Sequence, residues 1–537
     1  MRRIEGRTIP RGCSTRRDRI GKHKGSGKRR RLLVSAFTLA GIAWSDSSSA
    51  ARWSVDPSVE LRSTWTDNAG FEDSAAATAD LITEMIPRLS LSGIGSRFRV
   101  VGTVGLDALT YANGSAPNRY LPVGDLAANL EAIERFLFID AGMTARQTQQ
   151  DVFAPRPDGG ANLNTATETQ YRLAPRIEGR IGSDIDYRLT STNSWTAVSG
   201  PQTGGDNGYL GEHVFRIERR PATLDWAFEV KRSQTQFQES GLPSVTDDSA
   251  RAIVRFAITQ EFILGVRGGY EKTNILVNSS DNRQIVYGGE LQWRPSNRTD
   301  LNGFWEERFF GHGWQLNFKH RMPYIAWDFG FSHDVVTAPQ AFLSLPPTNN
   351  VAALLDAAYT TRFPDPTERA RFINDLIARQ GLPSALATQT DLFAQRVSLV
   401  TSKNATVTFI GVRNTLAISA FWSKNEDVPD SVFPDTENIA QDGVSLSLSH
   451  QLTTATSLNV TGGYLRAWGL GASSSEPTTK QRFVRLQMTR QMAPKTTAYV
   501  GARVQQFDSN APEVVTTPGS STNRHEHAAF VGLNHRF

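Results

Sequence analysis

From Pro57 onward, the side chains of this 537-residue chain alternate apolar and polar with a period of two, and that alternation constrains the fold more than any single motif. Leu81, Thr83, Met85, Pro87, Leu89 and Leu91 alternate with Ile82, Glu84, Ile86, Arg88, Ser90 and Ser92. Leu224, Trp226, Phe228 and Val230 alternate with Asp225, Ala227, Glu229 and Lys231, and Val444, Leu446 and Leu448 with Ser445, Ser447 and Ser449. Successive side chains of a strand point to opposite faces, so each segment has one greasy face and one wet face. A soluble β-sandwich alternates in the same way, and strand length and connections must discriminate. Many segments run about 11 to 16 residues, beyond the usual five or six of globular sheets and long enough for a tilted membrane strand.

The alternation resolves into about 22 segments, from 57–67 to 524–537. Connections after even-numbered segments are short: Gly93-Ile94, Gly182-Ser183, Arg321-Met322, Gly411-Val412, 452–455 and 492–495. Those after odd-numbered segments are mostly longer and polar, as at 68–79, 151–165, 197–208 and 509–523. Tight turns at one end and long loops at the other are the pattern of an outer-membrane barrel, with the turns in the periplasm. The expected fold class is therefore all-β, a transmembrane antiparallel β-barrel of about 22 strands with one long, partly helical loop. That loop, 337–393, has helical patterns over 350–359 and 366–380, the second opening Asp365-Pro366-Thr367-Glu368. It stands outside as a lid, folds inward as a partial plug, or lies as an ordered surface loop.

Composition agrees with this reading. A hydrophobic content of 39% and a mean hydropathy of −0.36 exclude a bundle of membrane helices but not a barrel, which shows lipid every second residue. Of the 58 basic and 53 acidic residues, 13 and 3 fall within residues 1–50, which leaves 45 basic against 50 acidic. The basic balance belongs to the leader and points to no nucleic-acid partner. Lys28-Arg29-Arg30-Arg31, the apolar run 32–44 and Ser48-Ser49-Ala50 have the order of a signal peptide. The domain reading is a signal peptide over 1–50 and a barrel over 51–537. Cys13, the only cysteine, falls in the leader, so disulfides and cysteine-based zinc sites are excluded from the remainder.

The last thirteen residues end HEHAAFVGLNHRF, with Ala529, Val531, Leu533, His535 and Phe537 on one face and Phe530, Gly532, Asn534 and Arg536 on the other. Gly532, His535 and Phe537 resemble the terminal signal strand by which outer-membrane barrels are recognised for insertion, which implies the barrel-assembly machinery as a partner. By parity, this strand closes against 57–67. The stretch Thr64 to Asn68, then Asp80 to Pro87, Leu137 to Ala141, the segment from Arg369 to Pro383 and the hairpins from Gly443 to Phe537 resemble the outer-membrane β-barrel proteins associated with PEP-CTERM/exosortase systems. Arg88 stands where that family has a glycine. The resemblance implies association with exopolysaccharide gene clusters and carries over no functional residues.

Catalytic and metal constellations are sparse. Ser332 and His333 are adjacent on one segment and point to opposite faces, so they cannot act together. His525 and His527 share a face but have no third ligand in view. Asp140, Asp365 and Asp281-Asn282 lack the oxygen density of a calcium loop. Gly159-Gly160 and Gly204-Gly205 read as turns and not as phosphate cradles. Trp65, Trp195, Trp293, Tyr464, Trp468 and Phe537 fit interfacial girdles, with sugar stacking the competing role, as for Trp314 and Trp327. Glu84, Arg88, Asp186, Arg188, Glu229, Lys231, Arg255, Glu290, Arg294, Arg485 and Arg503 are expected to face a lumen. The sequence thus predicts no catalytic residue, no cofactor and no metal. It predicts a non-enzymatic outer-membrane barrel with lipid, the assembly machinery and exopolysaccharide or its export components as partners. A porin-like channel and a scaffolding barrel are the alternatives.

Overall fold

Alternating side chains become an inside and an outside once the strands close on one another. The computed structural model describes residues 51–156, 164–200, 207–219, 222–237, 243–276, 283–337, 339–340, 351–360, 362–364, 366–380, 382, 397–432, 438–471, 476–510 and 522–537. The leader 1–50, Gly159-Gly160, Gly204-Gly205, Asp281-Asn282 and Asp365 lie outside the described residues.

The first strands are β1 Arg52–Thr66, β2 Asp80–Ile94, β3 Phe98–Tyr111, β4 Arg119–Ile133, β5 Leu137–Gln149, β6 Thr165–Ile181, β7 Ile185–Ser199 and β8 Asn207–Arg219. There follow β9 Leu224–Phe237, β10 Val245–Ala257, β11 Phe262–Thr273, β12 Arg283–Ser296, β13 Thr299–Arg308, β14 Gly311–Arg321 and β15 Ile325–Thr337. Two helices, α1 Val351–Tyr359 and α2 Pro366–Gln380, precede β16 Val397–Ile410, β17 Asn414–Asp427, β18 Ile439–Gln451, β19 Thr456–Gly469, β20 Thr478–Ala493, β21 Thr496–Ser509 and β22 Thr522–Arg536. The strands form one 22-stranded sheet. Sequence neighbours pair antiparallel throughout, and β1 pairs with β22 from Ser58↔Arg536 to Thr66↔Ala528, which closes the barrel at the expected seam.

On β2, Leu81 and Met85 are exposed while Ile82, Glu84 and Ile86 are buried. On β18, Val444, Leu446 and Leu448 are exposed while Ser445, Ser447 and Ser449 are buried. The exposed set continues around the wall through Val266, Tyr270, Ile285, Val484 and Val531. Such a continuous apolar surface is the lipid-facing band of a transmembrane barrel, with the polar face turned to the lumen.

Strand ends differ from the sequence reading by a few residues. β1 begins at Arg52, five positions before Pro57, because Trp53 and Val55 continue the outward alternation and pair with Gly93 and Leu91. Pro57 is tolerated because its missing N–H falls at the foot of the seam, where its carbonyl accepts the Phe537 N–H at 3.0 Å. The turn expected at Gly93-Ile94 lies at 95–97, since β2 runs to Ile94. One hairpin departs from the parity: β13 and β14 are joined by Phe309-Phe310 alone at the long-loop end.

Phe530 faces inward on β22, with its ring 4.4 Å from the Arg485 guanidinium and edge-on to Tyr499. Gly501 makes the space, because a Cβ there would collide with the Phe530 ring and the Leu486 carbonyl.

Candidate functional site: a lumen filled from both ends

The inner wall has two neighbouring sectors of unlike chemistry. From β8 to β15 it is a ladder of ion pairs: Arg216 to Glu229 at 3.1 Å, Arg255 to Asp225 at 3.2 Å and to Glu290 at 2.6 Å. The ladder continues with Arg267 to Glu306 at 3.0 Å, Arg251 to Glu306 at 3.1 Å, and Arg308 to Glu271 at 2.9 Å and Asp334 at 2.5 Å. Burial of such charges is tolerated only because each finds a partner. A cavity of about 380 Å³ lies against this sector, lined by Arg216, Glu218, Arg255 and Glu290 among others.

From β16 to β19 the inward positions are Ser, Thr, Asn, Gln, Gly, Ala and a few larger apolar residues, with Asp427 at the loop end as the one charge. Small uncharged side chains allow another element to approach closely without stripping water from an ion. That element is present. The β15–β16 connection turns inward at its start, where Gln340 Nε2 donates to Ser233 Oγ of β9 at 3.0 Å and Thr337 N to Gln340 Oε1 at 2.9 Å. Its helices sit at the opposite, short-turn end: α2 packs on β18, β19 and β20 and α1 on β15. Val351, Leu355, Ile373 and Leu382 bury against Ala417 near the foot of β17. Of the three placements open from the sequence, the inward fold is the one found.

The hairpin has its own small core. Arg369, buried, forks onto Asp356 at 2.6 and 3.1 Å, and its Nη1 donates to the Phe363 carbonyl at 2.8 Å. Phe372 lies 4.5 Å from Phe363 and 4.9 Å from Tyr359, centroid to centroid. Burial pushes the Tyr359 phenol above its ordinary pKa. One exposed ion pair, Asp375 Oδ1 to Arg536 Nη1 at 2.6 Å, ties α2 to the closing strand β22.

At the long-loop end the connections also fold in. Arg156 N donates to Gln481 Oε1 at 3.2 Å, and Gln481 Nε2 to the Arg156 carbonyl at 2.5 Å, so the β5–β6 loop crosses to β20. Phe71, in the β1–β2 loop, is buried edge-on to Phe507. Val432 N donates to the Ile275 carbonyl at 2.7 Å, which joins the loops after β11 and β17 across the short β13–β14 hairpin.

Between the helical hairpin and the turns lies a larger cavity of about 640 Å³. Arg298, Arg321 and Arg362 line it with Tyr324, Tyr359 and Phe372.

All eleven charged residues expected in the lumen share the inward register of buried neighbours. The aromatics Trp65, Trp195, Trp293, Tyr464, Trp468 and Phe537 share the outward register. Trp314 pairs with the exposed Trp305 and Trp327 with His320, so both face outward, away from any lumen path. Asp140 accepts from Asn129 Nδ2 at 2.6 Å. His527 Nδ1 lies 2.9 Å from Asp67 Oδ2, and no group of three or more His, Cys, Asp or Glu among the described residues is placed to hold a metal.

A pattern missed in the sequence concerns the outward histidines. His213, His320, His333, His450 and His535 each share an Nδ1 hydrogen bond, at 2.6 to 2.9 Å, with the residue directly across: Ser191, Thr299, Thr401, Asn414 and Thr496. A polar ring turned to lipid needs such a partner. The Ser191–His213 contact is one instance of this recurrent pairing. Pairing register was the required signal, and it spans up to 68 residues of sequence.

Fold and lumen together define a class: a transmembrane β-barrel with one of its own loops folded against the inner wall. No family model and no curated protein matches the chain. Among solved structures it is similar to the siderophore receptor PirA of Acinetobacter baumannii, at 8% identity and a TM-score of 0.46, covering 90% of this chain and 80% of that one. It is similar to a mutant ferric enterobactin receptor, PfeA, of Pseudomonas aeruginosa solved with enterobactin, at 9% identity and a TM-score of 0.44, covering 90% and 81%. A loop-deleted form of OmpT, an outer membrane protein of Vibrio cholerae, gives 8% identity and a TM-score of 0.30, covering 90% and 99%. At such scores the likenesses bear on no question of what this chain carries.

Proposed function

We propose that the protein is a non-enzymatic outer-membrane conduit, closed at rest by its α1–α2 hairpin, that serves exopolysaccharide export or surface assembly in a PEP-CTERM/exosortase system. The observation that carries the conduit is the path of the β15–β16 connection, which enters the lumen beside Ser233 and ends in a hairpin at the short-turn end. A scaffold would need no such stopper. The polysaccharide assignment is supported by the family resemblance of the strand and loop segments named above. The short turns would lie in the periplasm, so the hairpin would close the periplasmic mouth.

Planar-bilayer recording tests the conduit. The full chain is expected to be almost silent and a form lacking 340–390 to carry steady current; absence of current from both would sink the proposal. Deletion of the gene is expected to strip polysaccharide from the cell surface, and unchanged polysaccharide would leave a porin-like channel as the better reading.

The Asp375–Arg536 tie sets a smaller expectation. An exposed ion pair contributes roughly 0.2–1 kcal/mol, so Asp375→Ala is expected to raise the open fraction by no more than about fivefold. The effect should vanish in 1 M salt, where surface charges are screened; bilayer records at two salt concentrations check both points.

A further inference from the structure

We infer that the inner-wall cavity of β8 to β14 is a binding site for an uncharged saccharide unit inside the lumen. Two cross-strand rows build it. Ile263, Gln292 and Asn302 lie directly opposite one another on β11, β12 and β13, and Glu290, Phe304 and Gln315 do so on β12, β13 and β14. All of them line the cavity, whose volume of about 380 Å³ falls in the size range of small-ligand sites. Gly265 of β11 stands between Arg255 and Glu290 in the register. A Cβ there would come 2.7 Å from Glu290 Cγ and 3.3 Å from Arg255 Cγ, so the missing side chain lets Arg255 Nε reach Glu290 Oε1 at 2.6 Å. Every one of these residues is on a strand, and a site built on strands holds its geometry better than one built on loops.

The lining selects for hydroxyls without net charge. Arg216 is matched by Glu218 Oε2 at 2.8 Å and Arg255 by Glu290, so the ionic groups of the lining come as held pairs of opposite sign. A charged ligand would have to break one of these pairs and strand a partner without its counter-ion. A hydroxyl breaks none. It donates to a carboxylate oxygen or accepts from a guanidinium N–H, and both groups have more positions than their pairs use. Gln292, Asn302 and Gln315 add amides that donate and accept in the same way. Phe304 adds apolar surface for the C–H face of a sugar ring, and the Arg267 guanidinium, 4.5 Å from its centroid and itself tied to Glu306 at 3.0 Å, holds it from one side. The α1–α2 hairpin packs on β15 and on β18 to β20, strands that supply none of the described lining residues, so an occupant sits on the wall away from the stopper. This deepens the conduit reading by naming what the lumen wall holds, and it rests on that reading for the presence of a saccharide in the lumen.

The test is isothermal titration calorimetry of the full chain in detergent micelles with three probes: maltotriose, trigalacturonate and the zwitterionic dipeptide lysylglutamate. Maltotriose is expected to bind at least tenfold more tightly than either charged probe. The Gln292→Leu, Gln315→Leu double variant should lose at least tenfold of that affinity while keeping the heat-modifiable gel shift of a folded barrel. Phe304→Leu should lose severalfold, and it gives the reading if the double variant fails to fold. Equal or tighter binding of trigalacturonate or lysylglutamate would overturn the inference, as would maltotriose binding that ignores both glutamines and Phe304. The titration is repeated on Arg369→Ala, so that a closed hairpin does not hide the site; no maltotriose binding by either form would also overturn it. Current through the loop-deleted barrel without maltotriose binding would remove this site and leave the conduit. Maltotriose binding through Gln292 and Gln315 with no current from any form would do the reverse.

Discussion

Glu526→Ala is expected to lower the stability of the closed barrel by about 3–5 kcal/mol, the effect of stranding a buried charge. Glu526 sits on β22 at 2% exposure and is the hub of the seam. It accepts from Thr66 Oγ1 of β1 at 2.8 Å, from Arg503 Nη2 of β21 at 2.7 Å, and from Gln505 Nε2. Removal leaves Arg503, itself 5% exposed, without its carboxylate. A loss of 3 kcal/mol is over a hundredfold in the folding equilibrium. Urea titration read by the gel shift of the folded band measures it. Glu526→Gln, which keeps the acceptor oxygen but not the charge, should fall between. A midpoint unchanged by either substitution would mean that the backbone ladder alone holds the seam.

The second large effect falls on the stopper and leaves the wall alone. Arg369→Ala removes charge-assisted hydrogen bonds to Asp356 and the Phe363 carbonyl, worth about 2–3 kcal/mol together after solvent exposure of Asp356 is allowed for. What then holds α1 to α2 is the stack of Phe363, Phe372 and Tyr359 and the small apolar core of Val351, Leu355 and Ile373. Conducting events in bilayers are expected to rise roughly 30- to 150-fold. The urea midpoint should stay where it was, since Arg369 contributes to no strand ladder. A silent variant with an unaltered barrel would show that closure lies elsewhere, with the loops gathered around Arg156 and Phe71 as the next place to look.

Much of the fold was legible because it rests on local rules. The alternation of Leu81 to Ser92 determined which face of β2 meets lipid, and the parity of turns determined that β22 would meet β1. Strand ends were less legible: Pro57 reads as a boundary in sequence, and only the end of the partner strand at Phe537 makes it acceptable inside β1. The serine row 445, 447 and 449 was visible as a wet face, but the packing of α2 on β18 was not. Seating depends on what lies across the lumen, and period-two patterns say nothing of distance across a barrel. The same limit hid the histidine pairs, which need register, and the mouth cavity, whose arginines come from residues 298, 321 and 362.

By itself, then, the sequence determined a 22-stranded transmembrane barrel, its inside and outside, its closing seam and the two helices in its longest connection. Each follows from interactions between near neighbours in the chain or from counting strands. Only the tertiary structure decided that those helices lie in the lumen, that β8 to β15 carry an ion ladder and β16 to β19 a nearly uncharged face, and that Arg298, Arg321 and Arg362 come together at the short-turn end. Those features arise where segments hundreds of residues apart meet. Their energies depend on charge pairing and close approach in three dimensions, which no periodicity along the chain encodes.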